Sequence, residues 1–382
     1  MKLEADWLHS PAVRDVVSAF STNGAPIYFV GGCVRNALIG AQTTDIDMAT
    51  PVPPEGVIDF AKAAGLKAIP TGLAHGTVTI VARGEPFEIT TFRKDVETDG
   101  RRAVVALSES LDEDAHRRDF TMNAIYATPE GDLIDPLGGT ADLRARRVRF
   151  IDDPKARIRE DYLRILRFFR FYAWYGQGSD GPDAEALAAC AALADGIEGL
   201  SRERVGTEML KLLAAPDPSR ALGAMDQAGI LSRVLPGADC ATFFRFDHLS
   251  DHLDPIARLA ALGGQDAGER LRLSRSQVKR LSLLTTTASD QKSPAELAYR
   301  LGEDDARTSV ILRAAMFDQP LLPTLEADVA KGAAAHFPVE AKDLMPRLAG
   351  PALGDMLKEL ERRWIASDFT LDKESLLSGM AE

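Results

Sequence analysis

The sequence predicts an α+β protein in which a small mixed α/β head, residues 1–140, precedes an all-helical remainder. Three observations carry this. Short β-rich runs and a hairpin pattern are confined to the first part of the chain. Strand signals thin out after the turn Asp135-Pro-Leu-Gly-Gly139. Beyond it, Ile158, Tyr162, Ile165, Phe169 and Tyr172 recur at helical spacing. A chain of 382 residues has room for two or three units. The helical remainder divides into a neck, 141–215, and a body and tail, 216–382, with breaks at Ala215-Pro-Asp-Pro218, Pro236-Gly237, Gly263-Gly264 and Gln319-Pro320.

Within the head, Ile27–Val30 is a β-rich run that ends at Gly31-Gly32, and Cys33–Gly40 follows as a short helix. Residues 44–50 alternate in strand fashion. Residues 76–82 and 86–92 flank the turn Arg83-Gly84-Glu85 and predict an antiparallel hairpin. Arg93 to Asp114 is polar and weakly patterned, as expected of a long mobile loop with partial structure. Asp153-Pro154 reads as an N-cap and first helical residue of one helix running to about Tyr175. Residues 176–182 read as a loop.

Composition narrows the function classes. The apolar fraction, 45%, is that of a soluble globular protein, and no run approaches the roughly 20 apolar residues of a membrane span. The opening residues carry acids early and lack the pattern of a secretory signal, so a cytoplasmic location is expected. Cys33, Cys190 and Cys240 lack metal-site spacing and are expected to be reduced and buried. His248 and His252, four apart, read either as a metal pair or as a solvated helix edge. The net charge of −12 opposes indiscriminate polyanion binding, yet residues 142–170 hold ten basic and five acidic side chains, a local excess of positive charge.

The chemistry begins with Asp45-Ile46-Asp47. Residues two apart in a strand face one side, so both carboxylates would project together and call for a cation. Mg²⁺ suits such hard oxygen ligands beside substrate phosphates, and a metal pair could activate a hydroxyl and stabilise a leaving oxygen. Upstream, Gly31 and Gly32 allow close approach of a polyphosphate, and Arg35 carries a fork that fits phosphate oxygens. Neither a P-loop nor a GxGxxG fingerprint occurs.

Taken in order, these motifs resemble the class II tRNA nucleotidyltransferases and bacterial poly(A) polymerases, within the DNA polymerase β-like nucleotidyltransferases. The likeness runs through Gly31-Gly-Cys-Val-Arg35 and Thr43-Thr-Asp-Ile-Asp47 to Phe87-Glu-Ile-Thr-Thr-Phe-Arg93. It continues through Arg117-Arg-Asp-Phe-Thr-Met-Asn123, Asp135–Gly139, Glu160-Asp-Tyr-Leu-Arg164 with Arg167, and Arg204-Val-Gly-Thr-Glu208. It covers about residues 25–285 and implies a polymerase β-like head with catalytic Asp45, Asp47 and Glu88, the first two as metal ligands. It also implies nucleotide contacts from Gly31, Gly32, Arg35, Arg118, Asp119, Asn123, Asp161, Arg164 and Arg167. The partners implied are tRNA, ATP and CTP; the activity implied is addition of CCA to tRNA, with poly(A) or A-only addition, or a non-catalytic RNA-binding protein of the same fold, as alternatives. The segment Thr71–Thr77 is more like the tRNA enzymes, since the poly(A) enzymes tend to carry an Arg-rich run there. One departure is Asn36, where the family usually has Asp.

Base choice has a physical rationale in the residues themselves. Asp161 and Arg164, three apart on the expected helix, would share one face. Carboxylate accepts and guanidinium donates, which complements the amine and ring nitrogen of adenine and cytosine and opposes uracil and guanine. For an isolated pair of this kind, a solvated intrahelical ion pair is the alternative. Arg101-Arg102 would either position the nucleotide or lie in a solvated loop. The run Arg270, Arg272, Arg275, Lys279 and Arg280 would either touch RNA phosphates or form a solvated face.

Overall fold

The computed structural model describes residues 2–98, 103–176, 181–251, 254–345 and 347–378; Arg101, Arg102 and His252 lie outside them. The chain forms two compact units, 1–236 and 237–382.

The first unit opens with α1 (Pro11–Ser21), capped by the Ser10 hydroxyl, and β1 (Tyr28–Val30). Then come α2 (Gly32–Leu38), β2 (Asp47–Thr50), α3 (Pro54–Ala63), β3 (Lys67–Gly72), β4 (Thr77–Ala82) and β5 (Glu85–Thr91). β6 (Arg93–Thr98) and β7 (Ala103–Leu107) follow, then α4 (Leu111–His116), β8 (Tyr126–Ala127), β9 (Leu133–Ile134) and α5 (Gly139–Arg144). Among the described residues a seven-stranded sheet has the order β3-β4-β5-β2-β1-β8-β9. The β4–β5 hairpin is as expected. β2 and β5 instead run parallel, which sets Asp47 opposite Glu88. Met48 and Ile89, one residue on, are buried.

Three local expectations are corrected. The segment from Arg93 to Asp114 is no plain loop: β6 and β7 pair as a separate ribbon and α4 follows, capped by Ser110. Backbone hydrogen bonds hold such a two-stranded ribbon, and they leave little hydrophobic alternation to read. The strand of the DID motif starts only at Asp47, so Asp45 precedes it. The helix expected from 153 to 175 is two helices, α6 (Pro154–Glu160) and α7 (Leu163–Tyr175), separated at Asp161, whose backbone is extended (φ −155°, ψ 106°). Asp153 does cap α6 through Lys155 and Ala156, as expected.

The unit is completed by α8 (Ala184–Ala192), a 3-10 segment (Ala194–Gly199), α9 (Arg202–Leu213), α10 (Ser219–Gln227) and α11 (Leu231–Val234). Its aromatic centre joins the head to α7: Phe120 lies 4.9 Å from both Phe150 and Phe171, and Phe150 stacks on Phe168 at 5.7 Å.

The second unit is helical among its described residues, from α12 (Cys240–Leu249), α13 (Pro255–Leu262), α14 (Ala267–Arg270) and α15 (Arg275–Ser289) to α16 (Pro294–Leu301) and α17 (Glu303–Met316). It closes with α18 (Leu325–Ala334), α19 (Ala341–Leu344), α20 (Gly350–Ala366) and α21 (Lys373–Ser378). Its core centres on Leu284, Ala306, Leu312 and Val329, and a second cluster in the tail centres on Leu360, Trp364 and Leu376. Of the cysteines, Cys33 and Cys190 are buried as expected, whereas Cys240 is half-buried at the start of α12; all three are free thiols. No described helix is long and apolar enough to cross a membrane.

The Asp135–Gly139 turn is held by its own first residue, whose carboxylate accepts from the Gly139 and Thr140 amides at 2.7 and 2.9 Å. A Cβ on Gly139 would come within 2.1 Å of the Thr121 carbonyl oxygen, so the backbone there has no room to yield. Gly139→Ala is expected to destabilise the first unit by about 1–3 kcal/mol, the usual range for overpacking. Denaturant unfolding will read this, and a loss below 0.5 kcal/mol, roughly the surface-mutation level, will show that the turn relaxes freely.

Candidate active site

β1 delivers the chain to Gly31, whose φ of +75° suits glycine, and α2 begins at once. A Cβ at Gly31 would point to Nη1 of Arg118, 3.6 Å away. β2 brings Asp47 alongside this turn. Burial, reinforced by the facing Glu88 and by Asp45, raises the Asp47 carboxyl above its ordinary value, against the opposing pull of Arg118 and Arg35. Asp45 is exposed and accepts from the Thr44 hydroxyl at 3.2 Å; Glu88 is exposed on β5.

These residues share a cavity of about 460 Å³ with side chains from the helices after the head. Gly31, Gly32 and Asp47 form part of its wall, and Asp161, Arg164, Arg167 and Arg204 form another part. Arg35, Arg118, Asp119 and Asn123 also line it, with Leu163 and Phe171 as apolar lining. Five arginines and three aspartates give a lining suited to a polyphosphate. Asp45 and Glu88 are not in the lining.

The arginines play unequal parts. Arg35 is buried, and burial lowers its pKa. It donates through Nη1 to Asn123 Oδ1, through Nη2 to the Tyr175 hydroxyl at 2.8 Å, and through Nε and Nη2 to Asn36 Oδ1. Its guanidinium also lies 4.2 Å from the Tyr175 ring centroid. Four of its five N–H groups are thereby engaged, so the free phosphate fork expected from the sequence is mostly committed to protein partners. Asn36 has a clear place: its oxygen takes Arg35 and its amide nitrogen donates to the Gln42 carbonyl at 2.9 Å, on the segment leading to Asp45. An Asp could accept from Arg35 but could not donate to Gln42.

Asp119 is saturated. Oδ1 accepts from the Phe120 amide and from Asn123 Nδ2, and Oδ2 accepts from Nε and Nη2 of Arg167. Burial opposes its charge most strongly, but Arg167 and Asn123 outweigh it and hold the carboxyl far below the usual range. Asp119 and Asn123 therefore position other groups. Arg118 differs: Asp114 and Tyr126 hold its Nε and Nη2, while Nη1 makes no hydrogen bond among the described residues. Of the two arginines of this motif it is the one that lines the cavity, and it keeps donors there for a ligand.

Asp161 and Arg164 both line the cavity but are not paired. Since the helix stops at Asp161, they do not share a helical face. Asp161 Oδ1 accepts from the Leu163 amide and Oδ2 from Arg204 Nη2, 2.6 Å away. Arg164 is turned to Glu160 and to the Arg157 carbonyl. The basic run 142–170 is largely neutralised inside the protein: Arg147 and Arg149 pair with Asp142, Arg157 with Glu160, and Arg170 with Glu208. Sequence reasoning did not single out Arg204, Tyr175 or Asp114 as site residues. The partners of Arg204 and Tyr175 lie on other elements, whereas Asp114 meets Arg117 and Arg118 three and four residues on; that local spacing and the placement of Arg204 in an ordered motif were the available signals.

A glycine turn and Asp47, whose parallel strand partner is Glu88, beside an arginine-rich cavity that the turn and Asp47 line, make up the arrangement of a nucleotidyltransferase. The match to the family described as Poly A polymerase head domain covers residues 27–149. Residues 182–242 match one described as a probable RNA and SrmB-binding site of polymerase A. The mitochondrial CCA tRNA nucleotidyltransferase 1 of Danio rerio is 31% identical, over 99% of this chain and 92% of its own length. The CCA-adding enzyme of Geobacillus thermodenitrificans is also 31% identical, over 96% and 95%. The crystal structure of the Bacillus stearothermophilus CCA-adding enzyme in complex with CTP aligns with a TM-score of 0.73 and 29% identity, covering 94% of each chain. This chain belongs to the family of CCA-adding tRNA nucleotidyltransferases.

Three variants will test the network. Asn36→Ala leaves Arg35 donors unpaired in a buried setting and is expected to cost about 1–3 kcal/mol in urea unfolding. Asn36→Asp keeps the Arg35 contacts and should cost less; an equal loss would make the Gln42 link the dominant one. Asp114 is fully buried, and although burial opposes its charge, Arg118, Arg117 and Tyr126 pull its carboxyl down to about 2. A depressed carboxyl contributes stability above its unfolded value, near 4, and loses it as pH falls toward 2, a contribution of roughly 2–3 kcal/mol. Asp114→Asn should therefore lower stability at pH 7 and flatten its decline between pH 4 and 2. An unchanged acid limb would remove Asp114 from that account.

Proposed function

We infer that this protein adds C, C and A in turn to the 3′ end of tRNA, using CTP and ATP and releasing pyrophosphate, without a nucleic-acid template. The observation that carries the reading is the shared cavity: the glycine turn and Asp47 of the head line it together with Asp161, Arg164 and Arg167 of the neck. A triphosphate and a base can thus be held by one wall of fixed side chains. The relatives named for CCA addition along nearly their whole length support the tRNA end as substrate.

The residues fit a divalent cation. Burial, and then Glu88 on the neighbouring strand and Asp45 in the preceding segment, raise the cost of ionising Asp47, which an added positive charge would relieve. Among the described residues no three such ligands form a closed cage. Mg²⁺ keeps waters and takes one or two carboxylates plus substrate phosphates. Asp45 and Asp47 would hold it, with Glu88 beside them, and when bound it would supply charge that activates the 3′-hydroxyl and neutralises the departing pyrophosphate.

The chain's own groups do the rest. Gly31 leaves space at the turn, and Arg118 Nη1 offers a donor to the triphosphate or the ribose. Arg35, Asn123, Asp119 and Arg167 hold the walls in register, so that catalysis draws on positioning and fixed charge. Asp161 and Arg164 meet the base edge. Both are now in contact with other partners, so Arg164 must share or exchange its bond with Glu160 to donate to a ring nitrogen.

The test uses tRNA transcripts ending before CCA, after C and after CC, with each labelled nucleotide in turn. Two C residues and one A, then a stop, is the expected result. Long A tracts on unrelated RNA would favour poly(A) synthesis, and A addition only to ends bearing CC would favour the A-adding activity. In the same assay Asp45→Ala and Asp47→Ala are expected to keep the wild-type melting temperature within a few degrees and to lose addition. Near-normal turnover of either would overturn the metal assignment.

A further inference from the structure

We propose that Arg204 is a positioning residue for nucleobase selection, which it serves by holding the Asp161 carboxylate on the cavity wall; this rests on the reading that Asp161 meets the base edge. The chain leaves the helical conformation at Asp161, so no helical neighbour orients that side chain. The break is seated from outside. Tyr162 packs so closely on Gly196 that any Cβ there would fall 1.9 Å from the ring. The carboxylate itself is a third exposed and has two partners, the Leu163 amide at 3.1 Å and Arg204 Nη2 at 2.6 Å. A carboxylate offers about four acceptor sites, so room remains for an exocyclic amine. Without Arg204 the side chain would keep one short-range tether and regain rotamer freedom.

Arg204 is well anchored for this task. It sits in the first turn of α9, where its amide donates to the Ser201 cap, and α9 packs against α7. A cation in a first helical turn is opposed by the helix dipole, so its own helix gains nothing from the charge. One turn on, Glu208 shares its face at i+4 and takes Arg170, with Arg167 4.0 Å away. One face of α9 thus braces both Asp161 and the Arg167 region. The Arg204–Asp161 pair is half-exposed, so it contributes little to stability. Its Nε and Nη1 make no hydrogen bond among the described residues, and both residues line the nucleotide cavity.

The experiment measures kcat and KM for all four nucleotides, and KM for the RNA, in the full-length protein and in R204A, R204K, D161A and R204A/D161A. R204A is expected to lower the preference for CTP over UTP about tenfold, the scale of one charge-assisted hydrogen bond. The loss should appear mainly as a higher KM for CTP, with the RNA KM within about twofold of wild type. R204K, which keeps the charge without the fork, should recover part of it. In the D161A background, R204A should change nothing further, since it acts through Asp161. Loss of preference in D161A with none in R204A would overturn the positioning role and leave the base-edge reading standing. Unchanged preference in D161A would instead overturn that reading. Losses that multiply in the double variant, or a rise confined to the RNA KM, would make Arg204 an RNA contact and overturn the proposal. Melting temperatures accompany each measurement, and R204Q replaces R204A in the comparison if the latter melts early.

Discussion

The buried carboxylate of Asp119 is the point on which the first unit turns. Its two oxygens hold Arg167 of α7 and Asn123 of the segment after α4, and Asn123 passes the tie to Arg35 of α2. Arg35 closes the chain on Tyr175, at the end of α7. A charge removed from water at this depth is tolerated only when paired and fully hydrogen-bonded. The same bonds that satisfy it therefore set the glycine turn, the polar motif and α7 in one fixed arrangement. The rings of Phe120, Phe150 and Phe168, which begin at the next residue, pack together on its buried side.

Charge is distributed on the same principle. In a chain with twelve excess negative charges, arginines of the neck are matched against the buried Asp142 and Glu208 and the half-buried Glu160. What the cavity offers a nucleotide is then a small number of donors in fixed places, such as Nη1 of Arg118 and the unbonded edge of Arg204. Long-range attraction to any polyanion is weak in such a protein, and selectivity can rest on short-range geometry.

Placement of the acids follows another constraint. The parallel pairing of β2 and β5 brings Asp47 and Glu88 face to face, although hairpins surround them in sequence. Their mutual repulsion falls on one face of two interior strands, with Met48 and Ile89 buried on the opposite side. Arg118 and Arg35 moderate it without reaching neutrality. Such a site is poised to gain from an added cation and from the triphosphate that accompanies it.

The sequence by itself determined the fold class, the β4–β5 hairpin, the glycine turn into α2, the Asp153 cap and the order of the motifs. Each of these depends on neighbours a few residues away: a turn dipeptide, a cap, a period of two or of 3.6. Tertiary structure alone decided which arginine meets which acid. Asp161 was legible as a polar residue of a motif, but its release from the helix depends on Tyr162 against Gly196 and on Arg204, 43 residues away. Asn36 could be read as a departure from the family; its dual bond to Arg35 and Gln42 needed the loop in place. The parallel partner of β2 lies beyond three other elements, so local alternation held no trace of it. Ion pairs and strand partners are chosen by proximity in the folded chain, and a one-dimensional pattern records only the residue types that make them possible.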